Sequence, residues 1–283
     1  MRLGARELRG RARQARAHYR SCDLCGHDCK VDRTRGPAGV CQEGDGLFLA
    51  GAGIHHGEEP RLVPSGLVLI AGCNLACQGC ETWEFSLERK GAVRTSPEEL
   101  AALLLDLEKR GARNANFVTP THVLPALLEG LALAAEHGLS LPVVWNCGGY
   151  ESVEALRLLD GVVDVYLPDA KYGDDAAAFE LSGCTGYTRA LRASLAEMAR
   201  QAEVIVRHLV LPANAAAAEK LMPLIAGVSP DLCVNVLSQY RPAFRAGRFP
   251  LIARGVTAEE VAAAVRAARA SGLRNVLVDG KPV

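Results

Sequence analysis

The chain holds ten cysteines, and seven of them lie between Cys22 and Cys80. Three stand in one short run, Gly72-Cys73-Asn74-Leu75-Ala76-Cys77-Gln78-Gly79-Cys80, with the spacing Cys-x3-Cys-x2-Cys. Thiolates this close on a single loop suit three corners of a cubane iron–sulfur cluster, and the fourth iron would then be open to a small molecule. Structural zinc prefers four protein ligands, so a triplet fits it less well. Thiols that merely pack a loop are the plainer alternative. A second set, Cys22-x2-Cys25-x3-Cys29-x11-Cys41, supplies four thiols within twenty residues, with Gly36 and Gly39 letting the loop fold back before the last. Four cysteines satisfy either zinc or a second iron–sulfur cluster. The presence of only one Cys-x2-Cys knuckle tilts the expectation toward the cluster. Cys184 and Cys233 read as small core residues. Cys147 reads the same way, except that it ends a predicted strand and could donate a hydrogen atom.

The rest of the composition is ordinary. The 283 residues (30.1 kDa) are 49% apolar and 23% charged, enough for a sizeable core. Lys plus Arg and Asp plus Glu both number 32, and this neutral balance argues against a nucleic-acid partner. No apolar run reaches the roughly 18 residues of a membrane span. The Arg-rich opening, Met1 to Arg20, lacks the apolar stretch of a secretory signal. Clustered thiols in such a chain point to metal and a reducing cytoplasm.

Elements must position these residues. The first twenty residues read as one helix, basic on its solvated side. Residues 21–64, rich in Gly, Pro and Cys, read as a loop-dominated lobe, which divides the chain into 1–64 and 65–283. Beyond it, short apolar runs at Leu67–Ala71, Asn116–Thr119, Pro142–Trp145, Val162–Leu167, Val204–Leu211, Cys233–Leu237 and Asn275–Val278 suit buried parallel strands. Helix-length stretches separate them. Ser96-Pro97-Glu98-Glu99 carries an N-cap, a first-turn proline and a capping-box glutamate, and Thr257 with Glu260 repeats the spacing. Alternating strands and helices predict an α/β fold around a parallel sheet, open or partial rather than a full eightfold barrel. Chemistry in such folds gathers at the carboxyl edge of the strands, where the cysteine triplet falls.

The triplet's spacing, and its place directly after the first of these strands, resemble the radical S-adenosylmethionine superfamily. Further segments are similar to one branch of it, the proteins related to pyruvate formate-lyase activating enzyme (PflX-type). They are Cys22-Asp23-Leu24-Cys25, His55-His56-Gly57-Glu58-Glu59-Pro60, Thr119-Pro120-Thr121-His122, Tyr166-Leu167-Pro168-Asp169-Ala170-Lys171-Tyr172, Arg207-His208-Leu209-Val210-Leu211-Pro212 and Gln239-Tyr240-Arg241-Pro242. The resemblance implies a partial (β/α)6 barrel and a [4Fe–4S] cluster on Cys73, Cys77 and Cys80, with S-adenosylmethionine chelating the open iron. One electron, from a reductant such as flavodoxin or ferredoxin, would release a 5′-deoxyadenosyl radical that takes a hydrogen atom from substrate. Carried over most literally, the substrate is the backbone glycine of a partner glycyl-radical enzyme; a small molecule or peptide is the alternative. A non-catalytic iron–sulfur electron carrier is the reading from another class.

The same resemblance assigns the strand ends. Asn116 and Thr119 stand where relatives hold the methionyl amine, and Asn146 with Cys147 where activating enzymes tend to have an Asp-Thr pair. Asp169 and Lys171 form an Asp-x-Lys arrangement suited to an ammonium and a carboxylate. Arg207, inside an apolar strand, needs an anionic partner, either the methionyl carboxylate or an internal acid; His208 then points to the opposite, core side. Gln239 and Tyr240 replace the histidine that activases place near the cofactor. Gly79 replaces the usual aromatic residue before the third cysteine, with Trp83 as a possible substitute ring or simply core packing. The His55–Glu59 segment fits an active-site edge or a hydrogen-bonded surface loop.

Overall fold

Residues 2–57 and 59–283 are described in a computed structural model of the chain. In chain order the principal elements are α1 (Ala5–Ala17), β1 (Leu47–His55), β2 (Ser65–Ile70), α2 (Trp83–Ser86), β3 (Val93–Thr95), α3 (Pro97–Lys109), β4 (Ala115–Val118), α4 (Leu124–Glu136), β5 (Val143–Cys147), α5 (Val153–Arg157) and β6 (Val165–Pro168). There follow α6 (Asp175–Ser182), α7 (Tyr187–Gln201), β7 (Glu203–Leu209), α8 (Ala218–Ala226), β8 (Cys233–Leu237), α9 (Ala258–Ala270), β9 (Asn275–Val278) and β10 (Lys281–Pro282).

Among the described residues these strands form one sheet in the order β10-β9-β8-β7-β6-β5-β4-β2-β1-β3. The neighbours from β2 to β9 pair in parallel, and each overlaps one of the seven apolar runs. Successive parallel strands need a crossover, usually helical. That constraint places every strand's carboxyl end on the same edge. Both expected capping boxes form, Ser96 with Glu99 and Thr257 with Glu260, each worth about 1 kcal/mol to its helix.

Strand alternation splits the sheet into two faces. Val68, Ile70, Phe117, Val143, Trp145, Tyr166, Val206 and Val234 belong to the main core with the helices. Val144, Leu167 and Ile205 form a separate small cluster with Leu62, Val165 and Cys233. This second face is called the inner face below.

The N-terminal region departs from the expected loop-dominated lobe. Leu47–His55 is a nine-residue strand that pairs antiparallel with β2 from Leu49↔Ile70 to His55↔Ser65. Its Gly51-Ala52-Gly53 centre has little strand propensity, and a register shift lies between Leu49 and Gly51. Pairing across the sheet, not local preference, makes it a strand. Helix α1 buries Leu8, Ala12 and Ala15 in the same core as α4, and the Tyr19 hydroxyl donates to the His122 carbonyl at 3.3 Å. The boundary expected at residues 64/65 therefore falls between elements that fold together. Among the described residues no helix is long and apolar enough to cross a membrane.

Candidate active site: a three-thiol loop at the carboxyl edge

The loop from Gly72 to Cys80 leaves the carboxyl end of β2. Gly72 turns it at φ +82, and an added Cβ would lie 2.4 Å from Glu43 Oε1 and 2.9 Å from His122 Nε2. Only glycine combines that dihedral with that approach. Thr119, itself at φ +55, directs its hydroxyl to the carbonyls of Ile70 (3.3 Å) and Gly72 (3.2 Å). A β-branched residue in the left-handed region is strained, and the strain is spent on holding the start of the loop.

Cys73, Cys77 and Cys80 are all free and half-buried. A polar group lies against each sulfur. The Leu75 amide approaches Cys73 Sγ at 3.4 Å, the Ser182 hydroxyl donates to Cys77 Sγ at 3.0 Å, and Ser86 Oγ lies 3.3 Å from Cys80 Sγ. Burial pushes the Cys73 and Cys77 thiols up, with the neighbouring sulfurs adding to it; Lys171 opposes the shift at Cys77. A metal-bound thiolate needs such hydrogen-bond donors and nearby positive charge. An all-sulfur donor set with polar hydrogens aimed at Cys73 and Cys77 fits an iron–sulfur cluster. Among the described residues no three Cys, His, Asp or Glu side chains crowd closely enough to grip a single metal ion. A cluster does not require that crowding, because its thiolates stand on separate irons.

Facing the loop, the inner face carries a charged group at the strand ends. Asp169 Oδ2 lies 2.7 Å from Lys171 Nζ, and Oδ1 lies 3.0 Å from Arg207 Nε. Arg207 Nη2 donates to Asn146 Oδ1 at 2.9 Å. Burial alone would raise the Asp169 carboxyl, but Lys171 and Arg207 hold it below the ordinary carboxylate range. The structure thus gives Arg207 an internal acid, the second of the two partners expected for it. His208 is fully buried on the opposite side, with Nδ1 2.9 Å from the Ala170 carbonyl, as the alternation requires.

Two expected positions, Asn116 and Cys147, are corrected, and the surroundings of Gly79 are defined. Asn116 is not at a strand end: it is the second residue of β4, pairs with Leu67, and donates to Ser65 Oγ at 3.2 Å. Its side chain is on the inner face but toward the amino edge. Cys147 is buried in the main core with Val143 and Trp145. Asn146 points inward, so the next side chain points outward, away from any ligand on the inner face. Gly79 lacks a ring because Tyr240 fills the space: a Cβ there would meet Tyr240 Oη at 2.9 Å. Trp83 instead stacks on Phe244 at 5.4 Å.

Other positions distribute as follows. Gln239 is exposed beyond β8. His55 pairs with Ser65 at the amino edge, and the buried Glu59 accepts from Asn235 Nδ2 at 3.2 Å. The His55–Glu59 segment is therefore opposite the cysteine loop, and Glu58 lies outside the described residues. A cleft of about 770 Å³ is also at that amino edge, lined by Arg61, Glu203, Asp231 and Asn275 among others. It holds none of the residues just described at the carboxyl edge.

Sequence reasoning missed Glu151, which is buried and accepts from Thr121 Oγ1 at 3.1 Å. Burial raises its carboxyl to about 7. It also missed Ser182 and His27. The His27 ring lies 2.8 Å from the Asn74 carbonyl inside the cysteine loop. None sits in a motif; each is brought to the loop from a distant segment.

No family profile matches the chain. It is 33% identical over 259 residues to the uncharacterized protein MJ0674 of Methanocaldococcus jannaschii, spanning 88% of this chain and 75% of that protein. The chain belongs to the family of that archaeal protein. Its fold is similar to two solved structures. HydG, a maturase of the [FeFe]-hydrogenase, aligns over 72% of this chain and 49% of its own length at 14% identity, with a TM-score of 0.52. Methylornithine synthase (PylB) aligns over 74% and 69% at 12% identity, with a TM-score of 0.51. This chain thus spans about half the length of HydG, and these two likenesses concern the fold.

Proposed function

We propose that the protein is a radical S-adenosylmethionine enzyme. The observation that carries the reading is the three-thiol loop set beside the Asp169–Lys171 pair, with Lys171 close enough to oppose the upward shift of the Cys77 thiol. Cys73, Cys77 and Cys80 would hold a [4Fe–4S] cluster. When bound, the cluster and S-adenosylmethionine supply a carbon-centred radical that takes a hydrogen atom from substrate.

The chain's own residues bind and orient. Asp169 and Lys171 offer a carboxylate and an ammonium, and a zwitterionic ligand can exchange into that pair. Arg207 braces Asp169 and is itself held by the Asn146 side-chain carbonyl. Thr119 keeps two lone pairs for a ligand while donating to the loop backbone. Tyr240, anchored on the Ile252 carbonyl at 2.7 Å, closes the side of the loop next to Gly79.

The named substrate class is a hydrogen-bearing carbon on a partner protein, in the manner of a glycyl-radical activase, with an external one-electron reductant such as flavodoxin or ferredoxin. A small molecule or peptide is the alternative. The two similar folds, HydG and methylornithine synthase, support the reading at the level of the fold.

The test is anaerobic reconstitution with iron and sulfide, then dithionite and S-adenosylmethionine. Formation of 5′-deoxyadenosine, lost in Cys77→Ala, is the expected result. A redox-active cluster without cleavage would make the protein an electron carrier instead. A glycyl-radical EPR doublet on a partner protein would then separate the two substrate classes.

A further inference from the structure

The N-terminal cysteines lie on two turns that face each other. Cys22 and the Lys30–Val31 segment exchange backbone hydrogen bonds (Cys22 N to Val31 O, 3.0 Å; Lys30 N to Cys22 O, 2.9 Å), which places Cys25 and Cys29 in the intervening loop. Ala38 and Glu43 form an antiparallel bridge that carries Cys41 near its turn. Gly39 makes room between the turns: a Cβ there would stand 3.1 Å from Cys29 Sγ. Cys22 is within electrostatic reach of Cys25, Cys29 and Cys41 alike.

Beside these thiols lies Arg33, only 1% exposed. Its Nε donates to the Glu43 carbonyl at 3.0 Å, its Nη2 to the Gly44 carbonyl at 2.6 Å, and its Nη1 approaches Cys22 Sγ at 3.8 Å. The guanidinium also lies 4.2 Å from the centre of the buried Tyr19 ring. The adjacent carboxylate, Glu43, is bonded to Arg89 at 2.8 Å. Two guanidiniums therefore stand around one carboxylate, and Arg33 receives only neutral acceptors and sulfur. Two positive charges share one negative charge there, and an excess of buried charge is costly. Neutral thiols do not offset the excess; four thiolates around a metal centre do, because zinc or an oxidised iron–sulfur core leaves the set with net negative charge.

We propose that Cys22, Cys25, Cys29 and Cys41 hold a metal centre as four thiolates, and that Arg33 is its buried counter-ion. Binding deprotonates the thiols, releases their protons to solvent and draws the sulfurs in from their present positions. The centre clamps the two turns together. That fixes His27 against Asn74, so the clamp also braces the back of the three-thiol loop.

The test uses the full chain with Cys73, Cys77 and Cys80 all changed to Ala, so that any remaining metal is independent of the proposed catalytic cluster. Purified anaerobically and folded by circular dichroism, this variant should retain stoichiometric zinc, or iron with matching sulfide and a reducible absorption band. The metal found identifies the centre. Adding Cys41→Ser should remove it. Arg33→Met, which keeps the bulk and removes the charge, should weaken retention against a chelator by about 10–100-fold. A folded triple variant with neither metal would overturn the site, and unchanged retention in Arg33→Met would overturn the counter-ion.

Discussion

Arg207 reaches across from β7 to Asp169 at the end of β6, with Nε 3.0 Å from Oδ1. Lys171 holds the other carboxylate oxygen at 2.7 Å. The Asp-x-Lys motif thus works with a third residue far along the chain, and the carboxylate is kept ionised between two cations.

This arrangement sets a pH dependence. The native Asp169 carboxyl lies below its unfolded value of about 4. Its stabilising contribution is therefore fully present above that value and is lost as pH falls through the depressed native one. Acid unfolding followed by circular dichroism should show a smaller loss of stability below pH of about 4 in Asp169→Asn. At neutral pH the same variant should be less stable and bind S-adenosylmethionine poorly by calorimetry.

Ser182 donates to Cys77 and is also 2.7 Å from the Tyr172 hydroxyl. Ser182→Ala should cost about 1–3 kcal/mol, because Tyr172 loses a buried partner. Hydrogen bonds to cluster sulfurs help set the reduction potential. An EPR-monitored titration of the reconstituted variant should give a more negative value, since one donor to sulfur is gone.

Gly72→Ala combines a left-handed backbone with a Cβ placed 2.4 Å from the buried Glu43 carboxyl. Overpacking of this kind costs roughly 1–3 kcal/mol before the backbone strain is added. A lowered Tm together with reduced iron incorporation is the expected pair of results. Normal iron loading would show that the turn does not set the loop.

Cys147 faces the helices. Cys147→Ala should therefore leave 5′-deoxyadenosine formation within about twofold of wild type, while removing a small buried side chain at a modest cost of about 1 kcal/mol. A variant that cleaves S-adenosylmethionine but fails to turn over substrate would restore Cys147 to a hydrogen-donor role.

Gly79 and Tyr240 share one space. Gly79→Ala alone should break the Tyr240–Ile252 hydrogen bond, costing about 1 kcal/mol or more. In a Tyr240→Phe background the same change should cost less. Additive effects in this double-mutant cycle would argue that the two do not compete.

Much of the architecture was legible in the residues. Val- and Ile-rich runs, capping boxes and the place of the Cys-x3-Cys-x2-Cys run are local signals, and local signals are what periodicity reads. β1 was not legible, because its Gly-Ala-Gly centre becomes a strand only when β2 lies beside it. The inward or outward aim of Asn116 and Cys147 also escaped: a one-residue error in locating a strand end reverses the face or lowers the side chain by a layer.

By itself the sequence determined the thiol sets, the order of strands and helices, and the edge on which chemistry gathers, because spacing and chain order are written in it. The tertiary structure decided the partners: Asp169 for Arg207, Tyr240 for the gap at Gly79, Ser182 for Cys77, and Cys22 with the Glu43 and Gly44 carbonyls for the buried guanidinium of Arg33. Such pairs are tens to hundreds of residues apart in several cases. Only the folding of the sheet brings them within hydrogen-bond distance, where charge and burial act.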